Sequence, residues 1–374
     1  MTGQAAGQGW DPENLHPRGI AMAGYFDDPT LIRQVPVLRA AYSDRTAWLL
    51  AEIARLVYEK LPAEIRIDEL VLRILESARS QRGESVVRAL VAAAIENGQT
   101  VDGVVVSALE KAGFELLEGI AVQGSEAILV RLNLPSGRGP DAMLVLAFRG
   151  TQVTSIHDIS ADLRAHLVAA PGGGRAHAGF LAAFDKVRAP LQAALARHPG
   201  APLYITGHSL GGALALVATR YLGSDSTGAT YTFGCPRAGD DAFFAPIRTP
   251  IYRIVNAADG VTRIPFGYSL LILLSLIRLI PINGTFRIAE FLRRNLFGYT
   301  HAGSVVFLSD AANLPDDQQI PFRDLKVVMS PDAFWRFCVV VRRFLLTRGK
   351  AVVADHCMGD YALKLQAHAR RRNS

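Results

Sequence analysis

The stretch Leu203-Tyr204-Ile205-Thr206-Gly207-His208-Ser209-Leu210-Gly211-Gly212-Ala213 decides the fold. Leu203–Thr206 reads as a strand, and the Ala-rich run from Leu210 to Leu222 reads as a helix. Between them lies a Gly-x-Ser-x-Gly turn. A serine alcohol is a poor nucleophile until a base takes its proton and the backbone holds its oxygen clear of its surroundings. A sharp strand-to-helix turn meets the second condition. It forces strained dihedrals on Ser209 and crowds the residues two before and two after it, Gly207 and Gly211. The helix beginning at Leu210 also aims free N–H groups at the place where a reacting carbonyl gathers negative charge. Small Ala213, Ala215 and Ala218 let that helix lie close on a sheet. A glycine-rich loop that contains serine by chance is the alternative, and the flanking strand and helix argue against it.

Outward from this turn, short β-rich runs alternate with helices. Gly119–Val122, Ala127–Leu132 and Met143–Phe148 precede it, with turns at Gln123-Gly124-Ser125 and Pro135-Ser136-Gly137. Thr230–Phe233, Ile251–Val255 and Ser304–Leu308 follow. Such alternation predicts an α/β fold, a mostly parallel central sheet with helices on both faces. Upstream, Trp48, Leu49, Ile53, Leu56 and Val57 recur at helical spacing, as do residues in Ile67–Ala78 and Val86–Ile95. The expected organisation is a flexible tail over 1–25, an N-terminal helical region over 26–117 and a catalytic core over 118–374.

The 374 residues are 50% apolar and 20% charged, which excludes disorder over most of the length. Lys plus Arg outnumber Asp plus Glu by 40 to 34, for a net charge of +6. Mild basicity of this kind suits an anionic membrane surface as well as nucleic acid. The basic end Arg370-Arg371-Arg372 reads better as a solvated tail than as a nucleic-acid contact. Cys235, Cys338 and Cys357 are too few and too scattered for a disulfide scaffold, and no histidine spacing suggests a metal site. Met1–Pro29 lacks a basic start followed by an apolar run, so no secretory signal is expected. The expected location is cytoplasmic or peripheral to a membrane.

A mean hydropathy of +0.19 is more apolar than a core of this size requires. The excess falls in two places. One is an apolar insertion over 266–298, where Ser269–Ile280 is too short to span a bilayer, contains Arg278 and is followed by Pro281. The other is Phe334–Phe344. Both mix apolar residues with arginines. They read either as core and cap helices or as an interfacial surface with arginines on anionic headgroups.

Together with the turn at Ser209, four further blocks carry a resemblance to the class 3 lipase family of α/β-hydrolases, to which fungal triacylglycerol lipases belong. They are Phe148-Arg149-Gly150-Thr151, His177-Ala178-Gly179-Phe180, Thr232-Phe233-Gly234-Cys235-Pro236-Arg237-Ala238-Gly239, and Arg253-Ile254-Val255-Asn256 with Asp259 and Arg263-Ile264-Pro265. The resemblance covers roughly residues 40–365. It implies a serine carboxylic ester hydrolase that cleaves acyl esters of glycerolipids and needs no cofactor or metal. An esterase or phospholipase acting on another acyl ester, or a non-catalytic lipid-binding relative, stands as the alternative.

Chain order in such a fold is Ser, then acid, then His. Asp259 follows the strand Ile251–Val255 and suits the acid. Asp240 and Asp241 compete, but beside Gly239 they read as a solvated turn or helix cap. His301 and His356 compete for the base. His356 lies beyond the strand Ser304–Leu308, and Asp355-His356-Cys357-Met358 with Tyr361 resembles the family's C-terminal base motif. His301 then reads as structural, and His208 as packed away from the nucleophile. The oxyanion hole is expected from the backbone N–H groups of Leu210 and Thr151, with Arg149 in a structural ion pair. Ser155–Leu167 falls where the family carries its lid, with Asp158 and Asp162 solvated or capping. Gly172-Gly173-Gly174 reads as a surface turn.

Overall fold

The computed structural model describes residues 24–32, 41–59, 103–122, 124–134, 140–150, 166–223, 228–264, 298–310, 322 and 324–373. Its strands are β1 (Phe114–Val122), β2 (Ser125–Asn133), β3 (Ala142–Phe148), β4 (Leu167–Ala169), β5 (Arg175–His177), β6 (Leu203–His208), β7 (Thr230–Phe233), β8 (Ile251–Asn256), β9 (Ser304–Leu308) and β10 (Val327–Met329). Among the described residues, eight of them form one sheet in the order β1-β2-β3-β6-β7-β8-β9-β10. Pairings from β3 to β9 are parallel, and antiparallel strands close both ends.

The parallel strands β3, β6, β7 and β8 are buried along their whole length. Of these, β3 accordingly reads as one continuous apolar run from Ala142 to Phe148. At the edge, β1 begins at Phe114, earlier than the Gly119 expected. Glu115 and Glu118 break its apolar pattern, and a bulge between Leu116 and Glu118 breaks the period itself. The hairpin β4–β5 and the edge strand β10 are three residues each, too short to leave a period in the sequence.

On one face lie the helix Asp44–Leu56 and the C-terminal helix Met358–Asn373, packed against each other and on the sheet. Trp48, Leu49 and Ile53 share a single apolar core there with Tyr231, Tyr361 and Leu365. The described part of the N-terminal segment is therefore continuous with the core of the sheet. Ser43 caps the helix Asp44–Leu56 by accepting from the Thr46 N–H at 3.3 Å. The other face carries the helices Ala178–Ala196 and Leu210–Leu222, with Phe184, Leu191, Ala213 and Val217 in its core. Of the expected tail over 1–25 and insertion over 266–298, only Gly24, Tyr25 and Gly298 lie inside the described residues.

At the centre, β6 runs between β3 and β7 into Ser209 and the helix Leu210–Leu222. A mostly parallel, two-face-covered sheet with a strand–serine–helix turn at its middle is the α/β-hydrolase architecture.

Candidate active site

Ser209 sits at φ 56°, ψ −128°, a strained conformation for a residue with a side chain. The crowding that produces it is measurable. A Cβ at Gly207 would lie 2.3 Å from the Gly211 carbonyl oxygen, and one at Gly211 would lie 2.3 Å from that of Phe148. The Ser209 N–H donates to the Phe233 carbonyl at 3.0 Å, which fastens the turn to β7.

Asp259 follows β8 and is fully buried. Its Oδ1 accepts from the Val261 N–H at 2.9 Å, and its Oδ2 accepts from the Tyr361 hydroxyl at 2.6 Å. His356 precedes the C-terminal helix. Its Nδ1 lies 2.9 and 3.1 Å from the two Asp259 oxygens, and its Nε2 lies 2.9 Å from Ser209 Oγ. A carboxylate only accepts, so Nδ1 carries the proton and Nε2 presents a lone pair to the serine hydroxyl. Serine and acid both stand at the carboxyl ends of parallel strands, where open α/β sheets gather their chemistry.

Further residues brace this chain without touching the serine. The Tyr361 hydroxyl also accepts from the Asn256 N–H at 2.9 Å, so its single proton is committed to Asp259. Burial, then the Asp259 charge, pushes that hydroxyl well above the ordinary tyrosine range. Asp355 accepts from the Ala258 N–H at 2.9 Å and from Arg343 Nη2 at 2.8 Å, while its carbonyl accepts from Asn256 Nδ2 at 2.9 Å. The acid turn and the base turn are thereby bonded directly to each other. Gly234, at φ +57°, faces both, and a Cβ there would lie 2.8 Å from Asp259 Oδ2 and 2.8 Å from the His356 ring. Tyr361, Asp355 and Gly234 stand inside the blocks that carry the resemblance. Nothing in their sequence spacing signals these contacts.

His208 is buried against the same assembly. Its Nε2 faces the His356 carbonyl at 2.8 Å and must donate, so its Nδ1 accepts from the Tyr58 hydroxyl at 3.0 Å. Burial, with the His356 charge second, pushes its pKa well below the usual histidine value, and it stays neutral. His301 donates from Nε2 to the Thr262 carbonyl at 2.8 Å. Asp240 caps the short helix Asp241–Phe244 through the Phe243 N–H and pairs with Arg175. Arg149 pairs with Glu126 at 2.6 Å. Gly172, Gly173 and Gly174 all have positive φ in a turn that ends at β5.

Leu210, whose N–H is a proposed oxyanion donor, lines a cavity of about 440 Å³ with Gly150, Phe180, Ala183 and Leu214. That volume is within the range of small-molecule sites. Thr151 and, of the expected lid, residues 155–165 with Asp158 and Asp162 lie outside the described residues, while Leu167 begins β4. Burial pushes the Cys235 and Cys357 thiols up to about 12, so neither offers a thiolate as a rival nucleophile. Among the described residues, no group of three His, Cys, Asp or Glu side chains is placed to hold a metal ion.

The family model described as lipase (class 3) matches residues 145–269. The chain is 42% identical over 104 residues to the secreted mono- and diacylglycerol lipase 1 of Fusarium solani, covering 25% of this chain and 31% of that one. It is 29% identical over 198 residues to a lipase of Rhizomucor miehei, covering 49% of this chain and 46% of that one. The chain therefore spans less than half the length of these two relatives. A solved Rhizomucor miehei lipase propeptide complex aligns at 25% identity over 67% of this chain and 71% of that one, with a TM-score of 0.40.

Proposed function

We propose that this chain, which over residues 145–269 matches the class 3 lipase family model, is a serine hydrolase that cleaves acyl esters of glycerolipids. The observation that carries the reading is the unbroken hydrogen-bond chain Ser209 Oγ to His356 Nε2 at 2.9 Å and His356 Nδ1 to Asp259 Oδ2 at 2.9 Å. The relative named as a mono- and diacylglycerol lipase supports the substrate class.

Ser209 Oγ adds to the ester carbonyl carbon as its proton passes to His356 Nε2. The imidazolium that results faces buried Asp259, which stabilises it and holds its orientation. The carbonyl oxygen becomes an oxyanion and receives the Leu210 N–H, with Thr151 as the second donor. Collapse expels the alcohol, which takes the proton from His356, and leaves an acyl-Ser209. Water then repeats the two steps and releases a fatty acid. Contact with a lipid surface belongs to this reading, because a long-chain acyl ester resides in an interface and not in water.

The test compares hydrolysis of tri-, di- and monoacylglycerols, phospholipid and a soluble short-chain ester by the wild type and by Ser209→Ala. Fatty acid release from acylglycerols that the variant lacks is expected. Preference for the soluble ester, with no release from acylglycerols, overturns the substrate class. Equal release by the Ser209→Ala protein overturns the mechanism.

A further inference from the structure

Helices at a protein surface normally turn their apolar side inward. The helix Ala333–Leu346 does the opposite. Among the described residues, eight large apolar side chains are exposed, and six of them lie on this one helix. Phe334, Phe337, Val341, Phe344 and Leu345 fall on a single stripe at spacings of three, four, three and one, and exposed Cys338 lies within it. Phe334 is 74% exposed, Leu345 68% and Phe337 60%. No residue of the helix is buried.

The opposite side of the helix anchors it. Arg343 bonds Asp355 at 2.8 Å and Asp310 at 2.8 Å, and the Trp335 ring packs edge-on against Phe307 at 5.6 Å. Asp332 caps the first turn by accepting from the N–H groups of Phe334 and Trp335. This helix is well formed and held by its cationic side, with its aromatic side facing out.

Charge decides what covers it. Residues 333–354 contain Arg336, Arg342, Arg343, Arg348 and Lys350 and not one Asp or Glu. Arg342 is 70% exposed although it pairs with Asp310 at 3.5 Å. A second copy of this surface, related by two-fold symmetry, would bring those cations against themselves. An apolar stripe rimmed by cations fits a layer with an acyl interior and anionic headgroups.

We propose that the helix Ala333–Leu346 is a docking element for anionic lipid surfaces, with Phe334, Phe337 and Phe344 entering the acyl boundary. The inference rests on the reading of the substrate as a lipid ester. It also gives that reading a geometry, since Arg343 ties the helix to Asp355, the neighbour of His356.

The test uses the full chain carrying Ser209→Ala, so that binding is measured without turnover. Cys338 is labelled with a polarity-sensitive fluorophore, the other two cysteines being buried. Vesicles of phosphatidylcholine alone, and vesicles in which about a third is phosphatidylglycerol, are then added. A blue shift and co-sedimentation with the anionic vesicles are expected, weakened by salt. F334S/F337S should bind those vesicles at least about tenfold more weakly. R348Q and K350Q should each cost about fivefold. In the Ser209-intact protein, F334S/F337S should retain wild-type activity on a soluble ester, which establishes that it folds. Three results overturn the proposal: equal binding to neutral and anionic vesicles, binding that F334S/F337S leaves intact, or a dye shift produced only by self-association or by an acidic protein. Vesicle binding without hydrolysis of any ester by the Ser209-intact protein would instead overturn the functional reading and leave the docking surface standing.

Discussion

His208 donates from Nε2 to the backbone carbonyl of His356 at 2.8 Å, so the residue preceding the nucleophile holds the base that would activate it. Tyr58 completes the brace from the N-terminal segment, its hydroxyl 3.0 Å from His208 Nδ1. Spacing between Ser209 and His356 is thus set by a buried neutral imidazole as well as by their own contact. His208→Ala is expected to lower kcat on a soluble ester by about 10- to 100-fold with little change in KM, because a displacement near 1 Å at the reacting atoms costs that much. Tyr58→Phe, which removes one bond from the brace, should show the same pattern with a smaller loss. A His208→Ala enzyme with wild-type kcat would remove the positioning role.

Tyr361 gives its only proton to Asp259 and accepts from Asn256. Tyr361→Phe leaves the Asn256 N–H without that acceptor, so a loss of about 1–3 kcal/mol in stability is expected by urea denaturation. Activity should fall as well, because Asp259 loses one of the donors that fix its orientation toward His356. Unchanged stability together with unchanged activity would contradict this.

Two glycines with positive φ separate backbone strain from site geometry. At Gly173, φ is +98° and nothing lies within 4 Å of an added Cβ; at Gly234, φ is +57° and the Cβ would meet Asp259 and His356 at 2.8 Å. Gly173→Ala should cost about 1 kcal/mol of stability and leave activity alone. Gly234→Ala should reduce kcat/KM by more than about 100-fold, since the acid or the base must move. Similar activities for the two variants would contradict the placement.

Stability should fall as pH drops below the ordinary histidine range. His208 and His301 both have pKa values pushed well below that range by burial. The unfolded chain therefore takes up protons that the folded chain refuses, and stability rises with pH through this window. Each histidine contributes about 1.36 kcal/mol per pH unit below its unfolded pKa of about 6.5, until its folded pKa is reached. His301→Gln keeps a donor for the Thr262 carbonyl and cannot titrate. Its Tm should decline less than that of the wild type between pH 6.5 and 5, and a parallel decline would contradict the assignment.

The central fold was legible because its signals are local. The strand Ala142–Phe148 is one continuous apolar run, and the elbow's glycines sit where sterics demand them. The strand at Phe114, the three-residue strands β4, β5 and β10, and the helix contacts across the sheet were not legible. They depend on pairing partners far away in the chain. Within the site, residue types and chain order pointed to Ser209, Asp259 and His356, while the work of Tyr361, Asp355, Gly234 and Tyr58 could not be read. A tyrosine 102 residues from its carboxylate partner, or 150 from its histidine, leaves no spacing to detect. The stripe on Phe334–Phe344 was visible as apolar and cationic. Only the structure shows that its apolar side faces outward.

The most direct measurement is the site of covalent capture by a fluorophosphonate. Peptide mapping of the inhibited protein is expected to find the phosphonyl group on Ser209 alone. Labelling should slow sharply in His356→Ala and in Asp259→Asn. An adduct on any other residue, or labelling of Ser209 at an undiminished rate in His356→Ala, would contradict the assignment of nucleophile and base.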